Sequence, residues 1–154
     1  MPLKEDMKEK YKGVTTYKIG EVASRAHVNK ETVRYYEKRG LIPKPDRRRS
    51  GYRIFTKRHI EQIRFIKRAQ ELGFTLSEIK ELLELRMDEN TTCSEIKDEA
   101  QRKYQDVVDK IEDLQRIKTT LLDLIDSCTG SGPKGDCPIL DALGEESETG
   151  KELR

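Results

Sequence analysis

Three cysteines are the residues of this sequence whose chemistry and spacing suggest a site. Cys128 and Cys137 stand at the two ends of CTGSGPKGDC, whose three glycines and one proline predict a flexible loop. Cys93 lies far upstream. In a reducing compartment, an odd number of thiols is better explained by metal ligands or redox groups than by structural disulfides.

The segment from Cys93 to Cys128 has the heptad pattern of a coiled-coil helix. One heptad position holds Cys93, Ala100, Val107, Leu114, Leu121 and Cys128, and another holds Tyr104, Ile111, Lys118 and Ile125. At about 1.5 Å per residue, a helix of this length spans about 52 Å. Cys93 and Cys128 of one chain therefore cannot bind the same ion.

An amphipathic helix of this length predicts a homodimer, because nothing else in the chain can cover its apolar stripe. If two copies pack antiparallel, Cys93 of one chain lies beside Cys128 of the other, and two-fold symmetry repeats the pair. The loop can then bring Cys137 to the same place. Three thiolates suit a soft cation, whereas Mg²⁺ prefers oxygen ligands and zinc needs a fourth ligand. The alternative is that Cys128 and Cys137 form a local disulfide or have no special role.

The two halves of the chain carry opposite charge. Residues 14–86 contain 18 Lys and Arg against 9 Asp and Glu, whereas residues 87–154 contain 9 against 17. A basic block of this density favours a phosphate backbone as the partner, and a merely solvated charged surface is the alternative.

Short capped helices account for most of the basic half. Apolar residues at helical spacing predict one helix that stops near Ala26, and a second runs from the N-cap Asn29 to Gly40 at its end. A tight turn between two such helices predicts a helix-turn-helix, with Val33 and Tyr36 facing the core. Two further helices are expected after the caps Thr56 and Thr75, the first of them stopping at Gly73.

Between these pairs of helices the sequence predicts a small hairpin wing. Two prolines exclude a helix there, and Ser50-Gly51 forms a turn before a short strand at residues 52–55. Basic and aromatic side chains suited to phosphate contacts cluster at its tip. They are Arg47, Arg48, Arg49, Tyr52 and Arg53. A merely soluble loop is the alternative.

Three separated motifs, YKIGEVASRAHVNKETVRYYEKRGLI, SGYRIFT and IRFIKRAQELGFTLSEIKELL, resemble the DNA-binding domain of the MerR family of bacterial transcription regulators over residues 17–86. The resemblance implies a winged helix-turn-helix with residues 29–38 as the recognition helix. The DNA contacts that it implies are Lys30, Thr32, Arg34 and Tyr35 on that helix and Tyr52 and Arg53 on the wing. The residues alone do not separate base readers from phosphate contacts.

The cysteines are also similar in spacing to the ligands of mercuric-ion-responsive members of the family. That similarity implies trigonal Hg(II) held between protomers, by Cys93 of one and by Cys128 and Cys137 of the other. It further implies a repressor and activator of a mercury-resistance operon that binds operator DNA, distorts the promoter and lets RNA polymerase engage. Members that respond to lead, cadmium or zinc have overlapping cysteine patterns and stay as alternatives.

Other classes of protein find little support in the sequence. No apolar run of membrane-spanning length and no signal peptide is visible, so we expect no membrane association and a cytoplasmic protein. No phosphate loop, nucleophile elbow or acid–base pair is visible either, so we expect no enzyme. The remaining alternative is a metal-buffering coiled coil that binds nucleic acid without sequence preference.

The expected fold is all-α with a small β wing, in five segments. They are a disordered tail at 1–16, a winged helix-turn-helix at 17–86, a linker and antiparallel coiled-coil helix at 87–128, a metal-binding loop with a short helix at 129–144, and a disordered tail at 145–154. We expect the short helix to pack Ile139, Leu140 and Leu143 over the metal site.

Overall fold

The computed structural model describes residues 5–145, and its elements follow the predicted order of helix-turn-helix, wing, two helices and one long helix. They are α1 (Glu5–Lys10), β1 (Thr16–Tyr17), α2 (Ile19–Ala26), α3 (Lys30–Lys38), β2 (Asp46–Arg47), β3 (Arg53–Thr56), α4 (Lys57–Glu71), α5 (Leu76–Met87), α6 (Cys93–Ser127), a 3₁₀ turn (Lys134–Asp136) and α7 (Pro138–Gly144). This confirms the winged helix-turn-helix followed by a long helix. The chain divides between Ala100 and Gln101 into two units.

The helix-turn-helix has the boundaries that its capping residues predict. α2 ends at Ala26, and His27 turns the chain with a left-handed φ of 55°. The side chain of Asn29 accepts a hydrogen bond from the Thr32 amide at 2.7 Å, which satisfies a donor at the start of α3. Gly40 adopts a φ of +69° just after the helix, a conformation that costs glycine little.

A three-stranded antiparallel sheet in the order β1-β3-β2 forms the wing and its root. Asp46 of β2 lies opposite Ile54, and Thr16 of β1 lies opposite Thr56. Ile54 and Phe55 are buried, so β3 fixes the sheet to the core. The sequence did not predict β1, because two residues are too short to show an alternating pattern.

The core of the first unit is built mainly from apolar faces of α2, α3, α4 and α5. Its fully buried members include Val22, Val33, Phe55, Ile63, Ile66 and Ile79. Thr56 ends β3 and is also the N-cap of α4. The predicted capping box of α5 is present, with the Thr75 amide donating to Glu78 Oε2 at 2.7 Å. The wing and recognition helix are therefore held on one packed scaffold.

The N-terminal segment differs from our expectation of a disordered tail over residues 1–16. Residues 5–10 form α1, and Tyr11 donates a backbone hydrogen bond to Met7 at 3.0 Å. Residues 1–4 lie outside the described residues. So does the second predicted tail, at 145–154, apart from Glu145.

The second unit contains most of α6, the loop after it and α7. Large apolar side chains of α6 are exposed in the single chain, at the spacing of the predicted heptads. They include Tyr104, Val107, Ile111, Leu114, Leu121 and Ile125, here called the heptad stripe. Within residues 5–145, no helix joins the length and the apolar character that crossing a bilayer requires.

Candidate DNA-binding surface and thiol cleft

The recognition helix and the wing border one cleft of about 670 Å³, here called the DNA-facing cleft. Its lining consists of Lys18, Ile19, Gly20, Glu21, Lys30, Arg34, Ser50, Gly51, Tyr52 and Arg53. The structure thus brings together four of the predicted DNA contacts, two from α3 and two from the wing. Four cationic side chains around one groove suit a phosphate backbone.

Two further residues predicted on α3 have partners at the capping positions just before and just after the helix. The hydroxyl of Thr32 donates to Asn29 Oδ1 at 2.8 Å, so it helps to cap the helix. Tyr35 is 43% exposed, and the Arg39 guanidinium lies 5.3 Å from its ring centroid. Tyr36 is buried, as predicted, and its hydroxyl donates to Gln70 at 2.6 Å.

Arg34 and Arg53 each pair with a glutamate of α3. Arg34 pairs with Glu31 one turn earlier, on the exposed face. Arg53 Nε donates to Glu37 Oε2 at 2.6 Å, and both of these side chains are mostly buried. Because Arg53 lies on β3, this pair joins the wing to the recognition helix. The contact gives Arg53 a positioning role that sequence reasoning missed.

The wing turn is held by its own backbone. The Arg48 amide donates to the Tyr52 carbonyl at 2.8 Å, and the Gly51 amide donates to Arg48 at 2.9 Å. Arg47 donates from its guanidinium to the Gly51 carbonyl at 3.0 Å. Tyr52 is 71% exposed, which leaves its hydroxyl and ring available to a ligand.

Sequence reasoning also missed Lys18, Gly20 and Ser50 in the DNA-facing cleft. A Cβ on Gly20 would lie 3.2 Å from Lys30 Cε, so this glycine leaves room for the lysine. Ser50 Oγ is buried without a hydrogen-bond partner among the described residues. The available signals were the start of a helix, whose free amides attract anions, and the Ser-Gly turn of the wing.

Cys128 and Cys137 meet at a second cleft, of about 310 Å³, formed by the glycine-rich loop and here called the thiol cleft. The Gly130 amide donates to Cys128 Sγ at 3.4 Å, and both Cys128 and Cys137 line this cleft. All three cysteines are free, so the local disulfide that we considered is not formed. The fold of the loop places two soft ligands side by side.

The start of α7 favours the thiolate of Cys137. Hydrogen bonds from the backbone amides of Leu140 and Ile139 lower the pKa of the Cys137 thiol, and the Cys128 side chain acts in the same direction. Thiolate is the form of cysteine that binds metal ions. The lowered pKa therefore favours the form of Cys137 that could bind a metal ion.

Cys93 is the first residue of α6 and is exposed, and it lies between the capping residues Thr92 and Glu95. Among residues 5–145 of the single chain, no three potential metal ligands come together. Residues 138–144 form the expected short helix, but Leu140 and Leu143 are exposed instead of covering the thiol cleft. One protomer thus displays two of the predicted ligands together and the third apart.

Comparison with known proteins identifies the family. The family model described as "MerR HTH family regulatory protein" matches residues 17–86. A second family model, "MerR, DNA binding", matches residues 60–124. A mercuric resistance operon regulatory protein of Bacillus cereus is 44% identical over 127 residues, which are 82% of this chain and 96% of the relative. The chain belongs to the MerR family. It is accordingly a DNA-binding transcription regulator and not an enzyme.

Other members of the MerR family share most of the chain. The HTH-type transcriptional regulator ZntR of Escherichia coli K12 is 40% identical over 129 residues, covering 82% of this chain and 92% of the relative. The structure is similar to that of MerR from Bacillus megaterium MB1 in complex with mercury(II). The two are 44% identical with a TM-score of 0.63, and the match covers 84% of this chain and 100% of that chain.

Two more MerR-family structures extend the comparison. PbrR691 from Ralstonia metallidurans CH34 in complex with lead(II) is 32% identical, with a TM-score of 0.76 and coverage of 82% of this chain and 98% of that chain. HiNmlR, a MerR family regulator lacking the sensor domain and bound to promoter DNA, is 26% identical with a TM-score of 0.53. The match covers 73% of this chain and 83% of that chain.

Proposed function

We propose that this chain is a homodimeric, mercuric-ion-responsive regulator that represses or activates a mercury-resistance operon. The observation that carries the proposal is the pairing of Cys128 and Cys137 in the thiol cleft, with a third thiol at the start of α6. The coarser function, a metal-responsive regulator of the MerR family, rests on the relatives. Free thiols and a DNA target fit a cytoplasmic protein.

The heptad stripe supports the dimer. Large apolar side chains such as Leu114 and Ile125 are 63% and 60% exposed along α6, which favours burial against a second copy. Antiparallel packing brings Cys93 of one protomer to the thiol cleft of the other. Each of the two symmetric sites then has three thiolates.

A three-thiolate site favours soft, thiophilic ions. Hg(II) accepts three sulfur ligands, and the mercury-bound relative supports it over the other candidates. The lead-bound relative keeps Pb(II) as the main alternative, and Cd(II) and Zn(II) follow. Zinc is the least suited of the four, because structural zinc sites normally have four ligands.

The proposed partners of the dimer are operator DNA within a promoter and RNA polymerase. The promoter-bound relative supports the first, and the DNA-facing cleft offers the charges that it needs. A metal ion shifts the regulator between repression and activation only if it binds one dimer geometry more tightly. A site shared between two chains can supply that difference, and the proposed output is promoter distortion.

Metal titration of the reduced dimer on operator DNA tests the choice of ion. We expect Hg(II) to saturate both sites at the lowest free concentration and to change the DNA conformation, with Pb(II), Cd(II) and Zn(II) weaker. Footprinting of the same complexes should show two symmetric half-sites. Tighter binding of Pb(II), with the stronger change in DNA conformation, would assign the regulator to lead instead.

Mixed dimers test the shared site itself. One protomer carries Cys93→Ser and the other carries Cys128→Ser, so only one of the two predicted sites keeps all three thiols. We expect half of the metal binding of the unmodified dimer. Loss of all binding would contradict the proposed sharing of Cys93 with Cys128 and Cys137 of the partner, and full binding would mean that these thiols are not ligands.

Family membership argues against the alternative of a metal-buffering coiled coil that binds nucleic acid without sequence preference. That alternative predicts a diffuse footprint that disappears evenly as salt is raised, because non-specific binding is almost entirely electrostatic. The footprint of symmetric half-sites distinguishes the two.

A further inference from the structure

The segment before the family match contacts the wing. Lys10 Nζ lies 2.5 Å from Asp46 Oδ2, and the Tyr11 hydroxyl donates to the same oxygen at 2.7 Å. The match to the family begins only at residue 17, so neither side chain belongs to the segment that defines the family. Two donors from outside the matched segment therefore converge on one carboxylate of the wing.

Asp46 stands at a position where it can control the wing. It is the first residue of β2 and lies opposite Ile54, which is buried in the core. The next residue, Arg47, lies opposite Arg53, which is joined to Glu37 of α3. The root of the wing is thus held on one side by the recognition helix and on the other by the N-terminal segment.

We propose that Lys10 and Tyr11 form a wing brace, a positioning element that holds the wing in its DNA-binding orientation through Asp46. The brace acts before DNA arrives, by reducing the conformations that the wing loses on binding. Tyr52 and the tip arginines would then meet the phosphate backbone from a fixed root. The brace acts on DNA binding by the metal-free protein, so it does not depend on which ion the protein binds.

The protonation states around Asp46 support the brace over the whole physiological range. Hydrogen bonds from Lys10 and Tyr11 lower the pKa of the Asp46 carboxyl. Burial, followed by the hydrogen bond to Asp46, raises the pKa of Tyr11 to about 12. Near neutral pH the carboxylate is therefore an acceptor and the phenol a donor. The Lys10 ammonium also lies 5.7 Å from the centroid of the Tyr11 ring.

A direct phosphate contact by this segment is the competing explanation, and its charge disfavours it. The sequence of α1, EDMKEK, holds three acidic residues against two lysines, and one of those lysines is paired with Asp46. Lys12, just beyond α1, makes the count three acidic residues and three lysines over residues 5–12, so the charges of this stretch cancel and it has little net attraction for a polyanion. We therefore expect the N-terminal segment to affect DNA binding through its hydrogen bonds to the wing and not through contacts with phosphates.

The experiment compares Tyr11→Phe, Lys10→Met and the control Lys8→Met in the full-length, metal-free protein. Lys8 is exposed on the same helix, so its variant removes the same charge at a position outside the contact with Asp46. The probe is a DNA duplex selected from a random pool by the unmodified protein. We measure its affinity across a salt series, together with hydrogen exchange of the Arg48 and Gly51 amides in the free protein.

We expect Tyr11→Phe and Lys10→Met to weaken binding about three- to tenfold, the effect of losing one hydrogen bond to a partly exposed carboxylate. Exchange at the two wing amides should rise, and the salt dependence should stay unchanged for Tyr11→Phe, because no charge is removed. Lys8→Met should leave affinity and exchange as they were.

Three results would overturn the brace. The first is unchanged affinity and wing exchange in Tyr11→Phe. The second is an equal loss of affinity in Lys8→Met and Lys10→Met, which indicates general electrostatics. The third is weaker binding without faster exchange at the wing, which indicates direct contact with DNA. Thermal unfolding of each variant verifies that it is folded. The metal titration tests the proposed ion and does not bear on the brace, so the two proposals can fail independently.

Discussion

At the scale of single residues, His59 is a buried histidine whose neutral form the fold requires. The Thr56 amide donates to its Nδ1 at 3.1 Å, so this nitrogen carries no proton. Its Nε2 then donates to the Pro43 carbonyl at 3.1 Å. Burial, helped by the nearby Arg58 charge, lowers the pKa of His59 from its ordinary value of 6.5. Protonation would remove the acceptor for the Thr56 amide.

Stability should therefore fall in mildly acidic solution. The unfolded chain takes up a proton on His59 near pH 6.5, whereas the folded chain resists until the pH is lower. The stability due to His59 is complete above pH 6.5 and is lost as the pH falls toward the folded pKa, by at most about 1.4 kcal/mol per pH unit. Urea unfolding between pH 7.5 and 5 measures this loss.

His59→Gln should flatten that dependence, while the control His27→Asn, at an exposed histidine, should retain it. Asp46 does not interfere, because its pKa is lowered from 3.8 and it titrates below this range. An equal pH dependence in His59→Gln and the unmodified chain contradicts the assignment.

Residue identity made some of these roles predictable and hid others. The sequence was enough to select the thiols as candidate ligands, because cysteine has few other uses in a reducing compartment. The Arg53–Glu37 and Tyr11–Asp46 contacts join residues 16 and 35 positions apart, so they depend on how separate elements pack. Its charge, its place on the wing and the family resemblance made Arg53 a predicted DNA contact, and only the packing showed its partner Glu37.

At the scale of elements, helix ends were the most predictable feature, because a cap is a local interaction. At the start of α5, Thr75 Oγ1 accepts a hydrogen bond from the Glu78 amide at 3.3 Å. The Thr75 amide in turn donates to the side chain of Glu78. Both partners lie within four consecutive residues. The sequence predicted this box, and with it the start of α5.

Removing that cap should destabilise the chain modestly. Thr75→Ala leaves one amide at the start of α5 without its acceptor, which costs about 1 kcal/mol in the free energy of unfolding. Chemical denaturation at fixed protein concentration measures the difference. Ser77→Ala in the same turn is the matched control and should change the stability little. Equal effects of the two substitutions would mean that the box contributes nothing.

The two elements that sequence reasoning missed, α1 and β1, are short and stabilised by distant parts of the chain. β1 pairs with β3 some 40 residues away, at Thr16 and Thr56. The segment that contains α1 is held by the contacts of Lys10 and Tyr11 with Asp46. Neither element has a periodic pattern of its own, so nothing local distinguishes it from an irregular tail.

At the scale of the whole molecule, the heptad stripe is the surface through which we propose that two protomers assemble. Leu114→Asp places a carboxylate on each protomer in the middle of the proposed seam. Because unpaired charges there lose their hydration, we expect the dimer dissociation constant to rise about 100-fold or more. Sedimentation velocity at micromolar concentration should show a monomer.

The control for this substitution is Thr119→Asp, which adds the same charge to α6 outside the two heptad positions. It should remain a dimer with unchanged DNA affinity. If Leu114→Asp stays dimeric as well, the protomers associate through another surface, and the shared thiolate site fails with it.

The charge balance of the molecule follows from composition without a structure, and it distinguishes a basic first half from an acidic second half. The position of Cys137 was only partly predictable. Glycines predicted that the loop could fold back, but the amides of Ile139 and Leu140 that meet its sulfur depend on the detailed path of the loop.

The junction at Thr56 has a mechanical consequence. This residue closes a strand of the wing and opens the helix that follows, so no spacer of free backbone separates them. A force that DNA applies to the wing is therefore transmitted directly from β3 to α4, whose apolar face lies in the core, because no flexible linker lies between them. We therefore expect this junction to be stiff, so that the proposed promoter distortion would be taken up by the DNA and not by the connection between the wing and α4.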